Sequence, residues 1–333
     1  MGWGKLILKH VMSGSIVRVD THPQGFFSIA ESVSEQLLLG GKNVGEHKIR
    51  KVCIVGAGNM GHQIALGATL AGFEVKCTDV NEEVLKRAEQ FVTTYLPERV
   101  AKGKLTQAQV DVARANLSFT NDLSEAACDA DLVIEAIIER LEIKRMLFAE
   151  LDSLCPPHTI LATNSSYIVS SKIVDVTKRP EKICNLHFFN PALVMKLVEV
   201  VKGPHTSEET AQTLMNFCVS LGKTPVLLKQ EIYGFLVNRM LAAIKNESIY
   251  LLDMGIAGHE EIDTAVTLAL GYPMGPFRLM DLTGIDLTYI AGLERFQETG
   301  DPIHRPSPTI AAKFVKKEWG RKTGKGFYDY PER

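Results

Sequence analysis

The chain has little of what usually announces a function at first sight. Its 333 residues include six cysteines, Cys53, Cys77, Cys128, Cys155, Cys184 and Cys218, scattered without a CxxC and without histidines at metal-ligand spacing. Neither a disulfide scaffold nor a metal site is therefore expected, and the thiols read as buried and free in a reducing cytosol. A formal net charge of -2 excludes the strongly basic balance of a nucleic-acid binder, although a small anionic ligand needs only a local basic patch. No run of about 18 apolar residues is present, so no membrane span is expected. The opening MGWGKLILKHVMSGS has a short apolar stretch broken by Lys9 and His10, unlike a signal peptide, and Leu6 stands where a myristoylation motif has Ser or Thr. No internal repeat is found. These absences lead to the expectation of a soluble, cytoplasmic protein with no nucleic-acid or membrane partner.

An apolar content of 45% supports a sizeable core, and the length suggests about two domains at roughly 150 residues each. Residues 1–49, with HPQGFF and a short helical segment SIAESVSEQLLLGG, read as an N-terminal extension without chemistry of its own. From Lys51 the pattern changes. KVCIV is a β-branched apolar run, GAGNMGHQIALGATLAGF a glycine-rich turn opening a helix, and EVKCTD a second strand: a βαβ unit. A charged helical stretch over 82–115 follows. DADLVIEAI, TILATNSS, ICNLHFFN, KLVEVVKG and TPVLL read as strands, and LEIKRMLFAELDSL and SEETAQTLMNFCVSLGK as helices. After about residue 231 the periodicity is helical, with one long helix over YGFLVNRMLAAIKNESIYLLDMG and another over HEEIDTAVTLALG. The fold class expected is α/β, a Rossmann-type doubly wound sheet over 50–230, with a second, smaller all-α domain over 231–333.

Gly56, Gly58 and Gly61 form a GxGxxG, with Met60 inside the turn. Alone the motif is weak; between a strand and a helix, with Asp79 closing the next strand, it reads as a dinucleotide fingerprint. The first glycine permits the tight turn, the second lets backbone approach a pyrophosphate, and the third lets helix and strand pack closely. Asp79 can accept hydrogen bonds from ribose hydroxyls and would repel a 2′-phosphate, which favours NAD over NADP; FAD is the alternative.

The segment HFFNPALVMKLVEV places His187 near the end of one strand and Glu199 in the next. Oxidation of an alcohol needs a base for the hydroxyl proton, and histidine as a residue type titrates near neutrality. A carboxylate on its second nitrogen would fix the tautomer. Spacing alone leaves a purely structural histidine open. The segment resembles the signature region of the L-3-hydroxyacyl-CoA dehydrogenase family, which includes 3-hydroxybutyryl-CoA dehydrogenases. GAGNMG, LVIEAIIE, ILATNSS, GFLVNR, GYPMGPF and GRKTGKGFYDY resemble it too, in order, over about residues 50–331.

The resemblance implies NAD as cofactor and (S)-3-hydroxyacyl-CoA as substrate, His187 as general base and Glu199 as its orienting partner. It implies that Ser166 and Asn238 bind the substrate oxygen, that Glu139 and Lys144 line the cofactor site, and that Lys102 reaches the coenzyme A phosphates, a solvated lysine being the alternative. A homodimer through the helical domain is implied as well. The sequence departs from the family pattern at Tyr95, Tyr167 and Tyr233, where smaller residues or proline are usual, and these departures bear on the acyl or CoA pocket. Two other readings stand beside this one. One is a related dehydrogenase of a free hydroxy acid such as gulonate or carnitine; the other is a non-catalytic NAD-binding structural protein.

Overall fold

A computed structural model describes residues 49–331. The N-terminal extension up to residue 48, with the helix expected in it, lies outside the described residues.

The first part is one sheet built from β1 (Lys51–Val55), β2 (Glu74–Thr78), β3 (Leu117–Thr120), β4 (Leu132–Glu135), β5 (Ile160–Thr163), β6 (Ile183–Phe188), β7 (Leu197–Val201) and β8 (Thr224–Leu228), in the order β3-β2-β1-β4-β5-β6-β7-β8. Strands β4, β5 and β6 are buried along their whole length, as expected of strands covered on both faces. Helices α1 (Gly61–Leu70), α2 (Glu82–Ala101), α3 (Gln107–Ala115), α4 (Leu123–Ala127), α5 (Leu141–Leu154) and α6 (Glu208–Ser220) make the connections. One core cluster packs α1, α2 and α6 against one face of the sheet through Ile64, Ala68, Leu85, Leu214 and Phe217. A second packs α4 and α5 on the other through Ala126, Phe148 and Leu151. This is the doubly wound architecture expected from the βαβ pattern. The chain leaves β1 toward β2 on one side and later adds β4 on the other, so the crevice at the carboxyl ends of β1 and β4 is the switch point where such sheets bind ligands.

Some local features of this part go beyond the sequence reading or depart from it. The helical stretch over 82–115 is two helices, interrupted at 102–106, and Thr106 restarts the chain with a capping box to Gln109. The edge strand β3, LSFT, was not expected; it is four residues long and none of them is fully buried, so its period-2 signal is faint. Finally, β7 runs antiparallel to β6, the only such pair in the sheet. Just eight residues join the two strands, too few for the crossover that a parallel pair needs.

The second part consists of α7 (Val237–Asp253), α8 (His259–Leu270), α9 (Pro276–Thr283), α10 (Ile285–Thr299) and α11 (Pro308–Val315) around Ile249, Ile262, Phe277, Met280, Ile285, Ile310 and Phe327. The helix expected from Tyr233 begins at Val237, because Gly234 and Phe235 adopt φ of 74° and 51° and break it. Two buried aspartates organise this part. Asp263 accepts from the Phe277 and Arg278 N–H groups at the start of α9 (2.8 and 3.0 Å) and from the Tyr328 hydroxyl (2.9 Å). Asp281 accepts from Phe327 N–H and Tyr328 N–H (both 2.9 Å) and the Tyr330 hydroxyl (3.1 Å). The GYPMGPF and GRKTGKGFYDY motifs thus meet through buried carboxylates and serve the fold.

Removing the Asp281 carboxylate leaves buried N–H groups unpaired, at about 1–3 kcal/mol each. Asp281→Ala is expected to lower stability by about 3 kcal/mol in urea unfolding, and a midpoint equal to that of the wild type would show that the tail contributes little to the helical core.

Candidate functional site

The glycine-rich turn sits between β1 and α1, at the switch point. Gly56 has φ of 101°, and a Cβ there would lie 2.6 Å from the Ala136 carbonyl oxygen at the end of β4. A Cβ on Gly61 would lie 1.7 Å from the Gly56 carbonyl oxygen, so the helix can approach the strand only with glycine there. Gly58 faces open space, with nothing within 4 Å of the position its Cβ would take. No side chain caps α1, whose first turn carries no acidic residue. A helix N-terminus with no acidic residue in its first turn, beside an open Gly58, fits a dinucleotide pyrophosphate, with the helix dipole favouring negative charge there.

Asp79 sits after β2 and accepts from Ala57 N–H through Oδ2 (2.9 Å) and from Asn81 N–H through Oδ1 (2.9 Å). Its carboxylate therefore also braces the turn, which sequence reasoning did not foresee. Met60 precedes α1 as its N-cap residue. Val80 and Ile138, 97% and 59% exposed, lie on the loops after β2 and β4 that flank the turn. They were not singled out from sequence; their exposure, which no core demand explains, is visible only in the fold.

After β5, near the end of β6 and in the middle of β7, three side chains form a relay. Ser166, in the loop after β5, lies with Oγ 3.1 Å from His187 Nε2. His187 Nδ1 lies 2.8 Å from Glu199 Oε2. His187 and Glu199 face each other directly across the antiparallel β6–β7 pair, which is why residues twelve apart in sequence meet. Glu199 is fully buried, and its other oxygen accepts from Leu236 and Val237 N–H (both 3.0 Å) at the start of α7. A carboxylate that takes three hydrogen bonds can only accept from the imidazole, so Nδ1 carries the proton and Nε2 presents its lone pair toward Ser166. The rings of Phe189 and Phe235 lie 4.6 and 5.4 Å from the imidazole and shield it.

The relay and the glycine turn are joined. Asn59 Nδ2 donates to Asn190 Oδ1 (3.0 Å), which ties GAGNMG to HFFNP. Behind them lies a buried ion pair: Lys144, 1% exposed, reaches Glu135 Oε1 at 2.5 Å and Glu139 Oε2 at 3.3 Å. Glu135 also accepts from Thr163 Oγ1 (2.6 Å) and Ile137 N–H (2.7 Å). Glu139 accepts from the Ser165 hydroxyl and from Tyr167 N–H (3.2 Å). Lys144 thus holds Glu139 against the Ser165–Ser166 loop. Glu135 is the functional neighbour that sequence reasoning missed; a Glu inside the apolar strand LVIE was the available signal.

Asn238 is the second residue of α7, half-buried, beside Gly234. Lys102 is not brought to the relay. It follows the last residue of α2, exposed and paired with Glu98 one turn back.

A further half-buried cluster lies along the linker into α7. Glu231 accepts from Ser170 Oγ (2.6 Å) and Ser171 N–H (2.9 Å), and the same hydroxyl lies 3.2 Å from His205 Nε2. Burial pushes the His205 imidazole below its usual value, against the pull of the Glu231 carboxylate.

Together these features define a class: a dinucleotide-binding enzyme fold whose nucleotide turn adjoins a buried Ser–His–Glu relay braced by a helical part. Comparison with known proteins makes the family specific. Residues 51–232 match the family model of the 3-hydroxyacyl-CoA dehydrogenase NAD binding domain, and residues 234–330 match that of the C-terminal domain. The chain belongs to the 3-hydroxyacyl-CoA dehydrogenase family, and its cofactor is NAD. It is 42% identical over 288 residues to a probable 3-hydroxybutyryl-CoA dehydrogenase of Bacillus subtilis, covering 86% of this chain and 99% of that one. It is 40% identical over 289 residues to the mitochondrial hydroxyacyl-coenzyme A dehydrogenase of Rattus norvegicus, covering 85% and 91%. Among solved structures, (S)-3-hydroxybutyryl-CoA dehydrogenase from Ralstonia eutropha superposes with a TM-score of 0.80 at 33% identity, covering 86% of this chain and all of that one.

Two measurements check this geometry. Lys144→Met leaves Glu135 buried without its cation, and breaking such a pair costs about 3–5 kcal/mol; chemical unfolding should show a loss of that order. His205 binds its proton less readily when folded than when unfolded. Its contribution is therefore complete above the unfolded value of about 6.5 and is lost as pH falls through the lower folded value. Stability should decline on acidification below about pH 6.5, and His205→Gln should flatten that slope in thermal melts taken across the range.

Proposed function

We propose that this protein catalyses the NAD-dependent oxidation of the 3-hydroxyl of an (S)-3-hydroxyacyl-CoA to the 3-ketoacyl-CoA, and the reverse reduction, with 3-hydroxybutyryl-CoA as a substrate. The observation that carries this reading is the Ser166–His187–Glu199 relay at the carboxyl edge of the sheet, beside the glycine turn. Membership of the family adds its support.

The residues divide the work as follows. When bound, NAD supplies the acceptor for the hydride that leaves C3. Gly56, Gly58, Met60 and Gly61 form the turn that would hold its pyrophosphate, and Asp79, Glu139 and Lys144 complete the nucleotide side. Ser166 donates a hydrogen bond to the substrate oxygen and, with Asn238, fixes the hydroxyl against His187 Nε2. The imidazole takes the hydroxyl proton as the carbonyl forms, and Glu199 stabilises the resulting imidazolium through Nδ1. In reduction His187 returns the proton to the nascent alkoxide. Burial of the pair excludes water, so the proton moves between substrate and imidazole rather than to solvent. The coenzyme A moiety lies at the surface, where Lys102 is a candidate for its phosphates.

The same proposal divides the chain into a nucleotide part over 50–230 and a substrate and dimerisation part over 231–333. It extends to a homodimer in the cytoplasm. Exposed Met240, Tyr250, Met254, Leu268 and Leu287 on the helical part support the dimer, and six free cysteines, five of them buried, support a reducing compartment. Among the described residues no helix is long and apolar enough to cross a membrane.

The test is consumption of NADH with acetoacetyl-CoA beside free acetoacetate. Turnover of the thioester is expected, with His187→Ala and Glu199→Gln each lowering kcat by about 100- to 10,000-fold. Turnover of free acetoacetate at an equal rate would instead favour a dehydrogenase of free hydroxy acids, and undiminished activity in His187→Ala would remove the relay from the chemistry.

A further inference from the structure

Tyr167 and Tyr233 are separate departures from the family pattern in sequence, yet they form one contact in the fold. Their rings stack with centroids 4.9 Å apart and planes 30° from parallel. Tyr167 directly follows Ser166, and its backbone N–H is held by Glu139. Tyr233 directly precedes the Gly234–Phe235 break that leads into α7. Both the Tyr167 ring edge and the Asn238 side chain lie 3.7 Å from the position a Cβ on Gly234 would occupy. The stacked pair thus adjoins Ser166 in the chain and stands close to the Gly234–Asn238 segment, beside both residues proposed to bind the substrate oxygen.

The far side of the stack is closed. The Arg295 guanidinium of α10 covers the Tyr233 ring at 3.7 Å, and Glu298 pairs with both Arg295 (2.9 Å) and Lys172 (2.8 Å). Burial pushes the Tyr233 phenol up to about 12 and the Tyr167 phenol upward, so both rings stay neutral near pH 7. This wall is aromatic and uncharged, and its cations are already paired. It suits the alkyl substituent on C3 and offers nothing to the phosphates of coenzyme A.

We propose that the stacked Tyr167–Tyr233 pair, backed by Arg295, is the end wall of the acyl pocket and restricts the enzyme to short acyl chains. This rests on the 3-hydroxyacyl-CoA reading of the site. Two rings held by each other and by a guanidinium resist displacement better than a lone aromatic, so the wall acts as a unit.

The experiment compares kcat/KM for four-carbon and eight-carbon 3-ketoacyl-CoA in the wild type, Tyr167→Ala, Tyr233→Ala, the double variant and Tyr167→Phe. The wild type is expected to favour the four-carbon substrate by at least about tenfold, the scale on which pockets discriminate added methylenes. Either alanine variant should raise the eight-to-four ratio by about tenfold, mainly through KM of the longer substrate. The double variant should raise it by less than the product of the singles, because each truncation already opens the same wall. Tyr167→Phe should keep the wild-type ratio, since ring bulk and not the hydroxyl sets the limit. A wild type that takes both chains equally, or alanine variants that lose activity on both in parallel, would overturn the end wall while leaving the thioester reaction standing. Absence of turnover with either thioester by folded, NAD-binding wild type would overturn the substrate reading itself, and the end wall with it.

Discussion

Glu199 takes three hydrogen bonds in a fully buried position, and the two parts of the enzyme depend on it. One oxygen holds His187 Nδ1, which fixes the tautomer of the proposed base. The other receives the first two N–H groups where α7 begins, groups that no helix can satisfy internally. A single carboxylate thus orients the imidazole and caps the helix that opens the helical part. Phe235 pays the local cost: it sits at φ of 51° with its side chain fully buried against the imidazole. Strain of this kind persists only where surrounding contacts hold it, and here those contacts belong to the site.

The sheet explains why the relay exists at all. In an all-parallel continuation, β7 would follow β6 only after a long crossover, and residues 187 and 199 would be far apart. The short link reverses the chain, places Glu199 opposite His187 and returns the sheet to parallel pairing at β8 through α6. Only β5 separates β4 at the switch point from the β6–β7 pair, so the proposed acid–base pair and the nucleotide turn lie at the same end of the sheet. The Asn59–Asn190 hydrogen bond then ties the two loops together.

Charge inside this region is arranged in closed groups. Lys144 serves Glu135 and Glu139, Glu231 gathers Ser170 and Ser171, and Glu298 pairs with Arg295 and Lys172. Buried ions contribute little net stability compared with apolar residues of similar size, but they are costly to disturb. Their role here is positional: Glu139 holds the loop carrying Ser166, Glu231 ties the Ser170–Ser171 turn to the segment before α7, and Arg295 covers the Tyr233 ring.

Much of this was legible in the residues. Period-2 and helical patterns with glycine punctuation disclosed the βαβ order, because both signals are local: side-chain alternation and the steric demands of a tight turn need no distant partner. The GxGxxG, His187 and Glu199 were readable for the same reason, and the family resemblance named Ser166, Asn238, Glu139 and Lys144. Beyond reach were the features that depend on residues far apart in the chain. The antiparallel β7, the dual role of Glu199, the brace that Asp79 gives the turn, the buried Glu135–Lys144 pair and the stacking of Tyr167 on Tyr233 all join segments whose proximity no local pattern records. The early break before α7 belongs with them, since Phe235 accepts an unfavourable backbone only for the packing its ring gains at the imidazole. The sequence by itself determined the elements, their order and the chemical groups available. Tertiary structure decided which of those groups face one another, because only the closed sheet and the docked helices bring their hydrogen-bonding atoms within reach.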